Sequence, residues 1–522
     1  MPKKPRKARK KIFATRLSEA LASLSLRKRY GASFAVGALA VLALPPFYVF
    51  PVLLIAFPLL MEMLHLAGSK RQAFFTGWWF GFGHFVFGLY WIANSLLVDA
   101  VHFAWLIPFA VSLIPAVLAI YTGLFAVFMH RLRLNGWRRV LTAASLWVLI
   151  EFARSYLFTG FPWNLIGYSW VVSDAVMQLA SITGVWGLSL LAMLFALSPL
   201  LWMHRPQRLK GIILLLLPAL VWCGGFVRLS ESGDPLTATT IRVVQANIKQ
   251  EMKWEGEYRF KTFMQHVMAS VDHDLAPADI IVWPETAVPF VLEREQFIQD
   301  ILRKMMPPES VVITGALHIE GDQADYSIWN ALYAVSARGK VLGVYDKVRL
   351  VPFGEYVPFR TLLPFVDKIT YGSKDFSSGA GAKSLQVKGA GTFAPVICYE
   401  VIYPDGIIDE ENRPDWIVNI TNDAWFGNST GPYQHFAMAR MRAVEQGLPL
   451  VRAANTGISG VFDAYGRVLA RAPLNHAGAI QMPLPKSLSA TLYSKIGGFR
   501  IMVCITLLLF IATSVQQKHT RK

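Results

Sequence analysis

The chain has 522 residues, of which 54% are hydrophobic and only 16% are charged, and its mean hydropathy is +0.39. A chain this apolar is not an ordinary soluble protein, so the composition predicts an integral membrane protein. The net charge of +17 does not indicate nucleic acid as a partner, because the basic residues gather at the N-terminus and in alternate loops, where anionic membrane lipid is the expected counterpart.

Eight apolar stretches of the chain are candidates for crossing a membrane as helices. A spanning helix needs about 20 mostly apolar residues, since lipid leaves a free backbone N–H or C=O without a partner. The stretches lie near 31–46, 48–66, 73–94, 104–129, 140–158, 174–203, 210–228 and 496–515. Residues 237–487 separate the seventh from the eighth, and this gap is long enough for one globular domain with its own core.

The distribution of lysine and arginine predicts the orientation. Eleven of these residues fall in the first 30 positions, others follow the second, fourth and sixth spans, and residues 94–105 carry none. Short cytoplasmic loops are enriched in both residues, so we expect the N-terminus in the cytoplasm and the large domain on the outer side. The predicted parts are 1–30 (basic, cytoplasmic), 31–229 (seven transmembrane helices), 237–487 (outer domain), 494–515 (eighth helix) and 516–522 (basic cytoplasmic tail).

Cysteine usage singles out one thiol in the outer domain. Cys223 and Cys504 lie inside predicted spans, which leaves Cys398 alone between residues 237 and 487. This thiol has no intradomain disulfide partner, and neither CxxC nor Cys/His metal spacing is present. The phosphate-cradling pattern GxxxxGK[ST] is absent too, so we expect no metal and no nucleotide cofactor. By itself, such a cysteine is either an inert buried residue or a nucleophile.

The outer domain alternates short β-rich runs with helical patterns, which predicts a layered α/β fold. The predicted strands are 241–248, 279–285, 310–317, 329–337, 341–347, 393–400 and 415–423, and the predicted helices lie near 255–274, 292–306 and 432–447. Three of the strands end in chemically complementary residues, Glu285, Lys347 and Cys398. In layered α/β folds, active sites gather at strand ends.

These three residue types together suit acyl chemistry. A cysteine attacks as the thiolate and needs a base or a favourable local field, and Glu285 is a candidate for taking the proton. Lys347, together with the backbone N–H of Tyr399, is a candidate for stabilising the oxyanion that forms when a carbonyl is attacked. The sequence therefore predicts a nucleophile, a base and an oxyanion donor without histidine. His435, on the predicted helix 432–447, is the weaker alternative base.

The motifs around these residues resemble those of a known superfamily. VWPET, YDKVRLVPFGE and ICYE look like the Glu-Lys-Cys triad motifs of the nitrilase, or carbon-nitrogen hydrolase, superfamily. The arrangement of seven helices, such a domain and one more helix is similar to the apolipoprotein N-acyltransferases of bacterial inner membranes. Further stretches that resemble this family are LFTGFPWNLIGYS (157–169), VQANIKQEMKW (244–254), VPFGEYVP (351–358), NDAWFGNSTGPYQH (422–435) and AANTGISGVFDAYG (453–466).

The resemblance implies a fold, a reaction and a location. The fold is a polytopic α-helical membrane domain with eight transmembrane helices plus an extracytoplasmic α/β domain, a nitrilase-like α-β-β-α sandwich that faces the periplasm. The reaction moves an acyl chain from a membrane phospholipid, through a thioester on Cys398, to the α-amino group of the N-terminal diacylglyceryl cysteine of a lipoprotein, the last step of lipoprotein maturation. The implied partners are the phospholipid donor, the apolipoprotein acceptor and membrane lipid, and the chain is expected to be a monomer without a cofactor.

Two further residues are expected to support the triad. Glu355 matches a fourth acidic residue of the superfamily, which orients Lys347 or the incoming amine. A carboxylate paired to Arg349 or Arg360 is the alternative interpretation. Asn330, after the start of a predicted strand, is expected to donate hydrogen bonds near the site.

Other supporting residues flank the nucleophile or lie in loops. Tyr399 and Glu400 follow Cys398, where the family carries functional residues, and Glu400 either holds the cysteine loop or forms a structural ion pair. Trp254 resembles a tryptophan on a mobile arm over the active site, with simple packing as the alternative. The apolar loop 357–372 is either a lid that dips into lipid or a buried loop of the domain.

Two charged residues stand out within the predicted membrane helices. Glu151 and Arg154 lie three residues apart near the outer end of span five. Charges at such depth are costly and are usually paired or functional. We expect a mutual pair that positions the segment FTGFPWN, with contact to lipid headgroups as the alternative.

Two other functions are compatible with part of this interpretation. A membrane-tethered amidase or nitrilase would use the same triad with water as the acceptor, although small polar amides need no seven-span platform. A non-catalytic lipoprotein-binding scaffold would have no reason to hold Glu285, Lys347 and Cys398 together.

Overall fold

The computed structural model of the protein describes residues 18–202, 205–230, 233, 235–250, 253, 256–271, 276–322, 325–362, 366–370, 372 and 374–514. The chain divides into two compact units. The first comprises Met1–Tyr90, Leu106–Glu231 and Ile496–Lys522, and the second comprises Trp91–Trp105 and Ser232–Lys495. Most of the predicted segment 1–30, the whole predicted tail 516–522 and Trp254 lie outside the described residues.

The first unit is helical. Its principal helices are α1 (Leu26–Ala40), α2 (Leu53–His65), α3 (Lys70–Leu89), α4 (Ile107–Leu132), α5 (Gly136–Tyr156), α6 (Ala180–Leu197) and α7 (Arg208–Ser230), followed much later by the C-terminal helix Leu492–Ser514. Helices therefore form at all eight predicted stretches.

Among the described residues, four helical segments are long and apolar enough to cross a membrane. They are Ala100–Leu132, Ala180–Trp202, Arg208–Ser230 and Leu492–Ser514. Of the other predicted spans, α1 and α2 have only 15 and 13 residues, and α5 carries several charged residues. The structure thus supports a helical region with four candidate spans, and the full count of eight stays a prediction.

The charges of the expected pair Glu151 and Arg154 attract each other, and within residues 18–202 each side chain also has its own hydrogen-bond partners. Arg154 donates to the backbone oxygens of Phe161 (2.6 Å) and Trp163 (2.8 Å). The Glu151 carboxylate accepts from Nε1 of Trp147 (3.0 Å), the amide of Ile166 (2.8 Å) and Oγ of Ser189 (2.6 Å). The segment that returns after α5 thus provides both of these bonds to Arg154 and one of the three to Glu151, so both residues contribute to positioning it.

The second unit includes a segment that the sequence pattern assigns to the end of span three and the loop after it. In this segment, Nε1 of Trp91 donates to Oε1 of Gln434 (3.2 Å). Nδ2 of Asn94 donates to the backbone oxygen of Phe426 (2.9 Å). These bonds make Trp91–Trp105 part of the α/β unit.

The α/β unit contains two six-stranded sheets. The strands in chain order are β1 (Leu236–Gln245), β2 (Ile280–Val282), β3 (Val311–Gly321), β4 (Tyr326–Ser336), β5 (Val341–Asp346), β6 (Leu385–Val387), β7 (Gly391–Ile397), β8 (Trp416–Thr421), β9 (Leu450–Ala454), β10 (Ser459–Phe462), β11 (Val468–Ala472) and β12 (Gly478–Pro485). The first sheet has the order β12-β1-β2-β3-β4-β5 and the second β11-β10-β9-β8-β7-β6. In each sheet the central pairs are parallel and the outer pairs are antiparallel.

Apolar side chains fill the space between the two sheets and the space between the first sheet and its helices. The inner core includes Ile241, Val282, Ile313, Ile397, Trp416, Val418 and Val451. The outer core joins the first sheet to α8 (Gly256–Ser270) and α9 (Gln296–Met305) through residues such as Phe263 and Leu302. Helix α10 (Gly431–Gln446) contacts β9 on the second sheet. These layers confirm the expected α-β-β-α sandwich.

Close packing at Gly315 fixes the position of the chain that carries Glu285. Gly315 lies in β3, and its amide donates to the backbone oxygen of Pro284 (3.2 Å). A Cβ atom on Gly315 would lie 2.3 Å from the amide nitrogen of Thr286 and 2.7 Å from the Cα of Glu285. Only glycine lets the two backbones approach this closely.

We expect Gly315→Ala to displace Glu285 and to destabilise the domain by about 1–3 kcal/mol, the usual cost of overpacking. The matched control is Gly343→Ala in β5, where the added Cβ would meet only the flexible side chain of Leu385 at 3.1 Å. Thermal unfolding and activity measure both variants. Equal behaviour of the two would contradict the packing argument.

Candidate active site

Lys347 and two carboxylates form a buried group at the end of the first sheet. Lys347 directly follows β5, and its Nζ lies 2.9 Å from Oε1 of Glu355 and 3.5 Å from Oε1 of Glu285. All three side chains are buried. Burial opposes the charge on Lys347, but the attraction of Glu355 and Glu285 outweighs it and raises the pKa of the ammonium group above its usual range.

Asn330 joins the same two carboxylates from β4. Its Nδ2 donates to Oε1 of Glu285 (2.7 Å) and to Oε1 of Glu355 (2.9 Å). The backbone oxygen of Asn330 also accepts from the amide of Lys347 (2.9 Å). The predicted position of Asn330 near the site is therefore observed, and this side chain fixes the spacing of the two carboxylates around the ammonium group.

The partners of Glu355 exclude the alternative arginine pairing. Besides Lys347 and Asn330, Glu355 accepts from the amide of Val351 (2.8 Å). Arg360 instead pairs with Asp375 (2.6 Å). The interpretation in which Glu355 orients Lys347 agrees with these contacts.

Cys398 directly follows β7 in the second sheet. Its side chain is buried, and its backbone has φ = +48°, a left-handed conformation that is uncommon for a residue with a side chain and often occurs at functional sites. Burial raises the pKa of the thiol above its usual range, and the negative charge of Glu285 adds to this effect, while Lys347 opposes it. The resting group is therefore a protonated thiol within electrostatic range of both Glu285 and Lys347, and it needs a base to become a nucleophile.

Glu400 holds the ends of the two sheets together. Its carboxylate accepts from the amide of Ile397 (2.7 Å), the residue before the cysteine, and from the amide of Val348 (2.7 Å), the residue after Lys347. The amide of Arg349 (3.2 Å) and the hydroxyl of Tyr345 (2.9 Å) are further donors. The described contacts of Glu400 include no ion pair, which favours the interpretation that it holds the cysteine loop. Burial raises the pKa of this carboxyl, and the backbone amides counteract part of that shift.

Tyr399 lies between the nucleophile candidate and Glu400 in the chain and is also buried. Its ring packs edge-on against Tyr403, with the ring centroids 5.5 Å apart. Arg349 in turn lies over the Tyr403 ring at 4.0 Å. The backbone N–H of Tyr399 stays a predicted oxyanion donor.

Two family models match different parts of the chain. Residues 36–198 match the family described as apolipoprotein N-acyltransferase N-terminal domain, and residues 240–492 match the family described as carbon-nitrogen hydrolase. The apolipoprotein N-acyltransferase of Rhizobium rhizogenes is 40% identical over 88% of this chain and 90% of its own length. The chain belongs to the apolipoprotein N-acyltransferase family. The protein of the same name from Rhodopseudomonas palustris is 37% identical over 93% of this chain and 94% of its own length.

Among solved structures, the chain is similar to an amidase from Nesterenkonia sp., with 17% identity, 51% of this chain and 95% of that chain covered, and a TM-score of 0.38. The resemblance to the N-acyltransferase family that the motifs indicated is confirmed by the two curated relatives.

His435 contacts the backbone of Cys398 and the carboxylate of Asp423. Its Nε2 lies 3.2 Å from the backbone oxygen of Cys398, and its Nδ1 lies 2.9 Å from Oδ1 of Asp423. Arg452 pairs with the other oxygen of Asp423 (2.7 Å). Burial and Arg452 lower the pKa of His435, whereas Arg452 and His435 overcome burial and lower the pKa of Asp423 to about 2. These contacts give no support to His435 as the base for Cys398.

Two features were not predicted from the sequence: the network of Asp423, His435 and Arg452, and the burial of Lys253. Asp423, His435 and Arg452 are fully buried, and so is Lys253, whose Nζ donates to the backbone oxygen of Glu285 (2.8 Å). Asp423 and His435 lie in the quoted motif NDAWFGNSTGPYQH, which was the available signal for them. Lys253 lies in the motif VQANIKQEMKW, but nothing in its flanking residues indicates that it is buried.

Two further predictions concern Trp254 and the loop 357–372. Trp254 is outside the described residues, so its role on a mobile arm stays a prediction. In the loop 357–372, the side chains of Phe359 and Leu362 are 68% and 74% exposed, which argues against a fully buried loop.

We expect Glu400→Gln to lower the stability by about 1–3 kcal/mol, because its NH2 group would face a buried backbone N–H instead of accepting from it. Activity should fall by more than stability accounts for, since the chain segments before Cys398 and after Lys347 lose their common anchor. The control is Glu411→Gln, at an exposed position. Thermal unfolding and acyl-transfer assays of both variants test this, and wild-type activity in Glu400→Gln would contradict the anchoring role.

Proposed function

We propose that the chain is a phospholipid:apolipoprotein N-acyltransferase that works through a thioester on Cys398. The observation that carries the proposal is the buried group in which Lys347 joins Glu285 and Glu355 beside a buried thiol. The name of the relatives, which are up to 40% identical over most of the chain, supplies the substrate class. Phospholipid is the acyl donor, and the diacylglyceryl apolipoprotein is the acceptor.

The first half-reaction forms the acyl-enzyme. Glu285 takes the proton from Sγ of Cys398, and the thiolate attacks the ester carbonyl carbon of the phospholipid. Nζ of Lys347 and the backbone N–H of Tyr399 stabilise the oxyanion. The ester C–O bond then breaks, Glu285 returns the proton to the leaving alkoxide, and a lysophospholipid departs. Glu355 keeps Lys347 charged and oriented throughout.

The second half-reaction transfers the acyl chain to nitrogen. The α-ammonium group of the lipoprotein loses one proton to water through Glu285, and the free amine attacks the thioester carbonyl carbon. The C–S bond breaks, an amide forms, and the second amine proton passes through Glu285 to the sulfur of Cys398. The thiol is thus regenerated, and the product amide is more stable than the thioester it replaces.

Burial of the site favours transfer over hydrolysis. A thioester is open to attack by water, and Cys398 is only 7% exposed. The surroundings of the thiol therefore restrict water at the carbon that reacts. A site with an open, hydrated cysteine would favour a hydrolase instead.

The topology is part of the proposal. We infer seven spans within 31–229, a catalytic domain at 237–487 on the periplasmic side of the bacterial inner membrane, and an eighth span at 494–515, with the basic ends 1–30 and 516–522 in the cytoplasm. The lysine and arginine distribution supports this orientation, and four helices with sufficient length and hydropathy support membrane insertion. The chain is proposed to act as a monomer.

Incubation of the purified protein with phospholipid in detergent, without acceptor, should add the mass of one acyl chain to Cys398. We expect no adduct on Cys398→Ala, and at least about 100-fold slower formation in Lys347→Met, because the oxyanion loses a charged donor. A diacylglyceryl peptide should then discharge the adduct as an N-acyl product. Equal labelling of Cys398→Ala would refute the thioester, and release of free fatty acid alone would indicate a hydrolase.

The proposed orientation predicts which side of the membrane each loop faces. In a Cys223→Ser, Cys504→Ser background, a cysteine introduced at the exposed Lys340 should react with a membrane-impermeant maleimide in intact spheroplasts. The matched control is Arg131→Cys, which should react only after permeabilisation. The reverse pattern would overturn the orientation and leave the acyl-transfer chemistry untouched.

A further inference from the structure

Lys253 is a buried cation that the triad does not include. Its side chain is 1% exposed, and its Nζ donates to the backbone oxygen of Glu285 at 2.8 Å. Among the described residues, the hydrogen bond of this ammonium group goes to a backbone oxygen and not to a carboxylate. A lysine in this position carries a desolvation cost, and one backbone hydrogen bond does not offset all of it.

The charges around the thiol indicate a function for Lys253. Glu285 and Glu355 contribute −2 and Lys347 contributes +1, so the predicted catalytic group alone has a net charge of −1. That charge opposes formation of a thiolate on Cys398, whose buried thiol already has a raised pKa. The ammonium group of Lys253 offsets this charge of −1, while Asp423, which also acts on the thiol, is paired with Arg452. Lys253 also interacts with Glu285 and with Cys398, the two groups between which the proton moves.

We propose that Lys253 is a second cation of the active site, which positions Glu285 through its backbone oxygen and stabilises the thiolate of Cys398. This inference rests on the proposed acyl transfer and adds a residue to its first half-reaction. When Glu285 takes the thiol proton, the negative charge moves from the carboxylate to the sulfur. A cation that interacts with both groups keeps its stabilising effect during that move, whereas Lys347 is already shared by two carboxylates.

The charge on Lys253 makes this role sensitive to pH. Burial lowers the pKa of Lys253 to about 8, although Glu285 and Cys398 act in the opposite direction. The ammonium form is therefore present below about pH 8 and is lost as the pH rises through that value. The neighbouring His266 in α8 does not interfere, because burial lowers its pKa to about 3 and keeps its ring neutral. Lys347 keeps its charge over the same range, since its pKa is raised.

The test measures the rate of thioester formation on Cys398 by quenched-flow mass spectrometry between pH 6 and pH 10, with phospholipid in detergent and no acceptor. In the wild type, the rate should fall on the alkaline side with a midpoint near pH 8. Lys253→Arg keeps the positive charge, so it should retain most of the rate and lose the decline near pH 8. Lys253→Met should be about 10- to 100-fold slower at pH 7, on the scale of one lost electrostatic contribution.

The control variant is Lys249→Gln, an exposed lysine four positions earlier, which should match the wild type at every pH. Thioester formation by Lys253→Met at the wild-type rate and with the wild-type pH profile would overturn the role of Lys253 and leave the proposed function intact. If Lys253→Met fails to fold, an unchanged alkaline midpoint in a folded Lys253→Arg variant would overturn it as well. Failure of the thioester itself is a separate result, seen as labelling of Cys398→Ala.

Discussion

The Glu400 carboxylate is the interaction on which the geometry of the site depends. The nucleophile candidate and the cation that would serve it come from different sheets, and each sits just past the end of its strand. The Glu400 carboxylate accepts hydrogen bonds from backbone amides in both places, at Ile397 and at Val348. The core between the two sheets consists largely of apolar side chains, and such contacts are not directional. Hydrogen bonds to one buried carboxylate supply the direction and fix the distance between the two strand ends.

The site also holds several charged side chains in an interior of low dielectric constant. Lys347 and Asn330 bind the same oxygens of Glu285 and Glu355, so the two carboxylates share both a cation and a neutral donor. Removal of Lys347 would leave two buried carboxylates without their shared cation, which costs several kcal/mol. The network of Asp423, His435 and Arg452 contacts the backbone oxygen of Cys398 through His435, and the charge of Asp423 also acts on the thiol.

Candidate site residues could be predicted where a polar or charged residue ends an apolar run of the sequence. Buried charged residues whose partners are distant in the chain could not be predicted. Glu285, Lys347 and Cys398 were predictable because each ends a strand-like segment. Strands β6 and β9 to β12 were not predicted. In β9 the reason is visible: Arg452 interrupts the short run LVRAA, and only its tertiary bonds to Asp423 and Asn419 make a buried strand possible. The hydrogen-bond partners of Glu151 and Arg154 were not predicted for the same reason, because most of them come from the segment after α5 and from α6.

The raised pKa of the Cys398 thiol connects the burial of the site with its proposed location. An exposed thiolate outside the cytoplasm meets an oxidising environment, where it would form disulfides or higher oxides. A buried thiol that stays protonated at rest is resistant to both, since the thiolate is the reactive form. The same burial would slow attack, so the proposed mechanism requires the base and the cations close to the sulfur. In that mechanism, the charge network around Cys398 activates the thiol only when a substrate carbonyl is present.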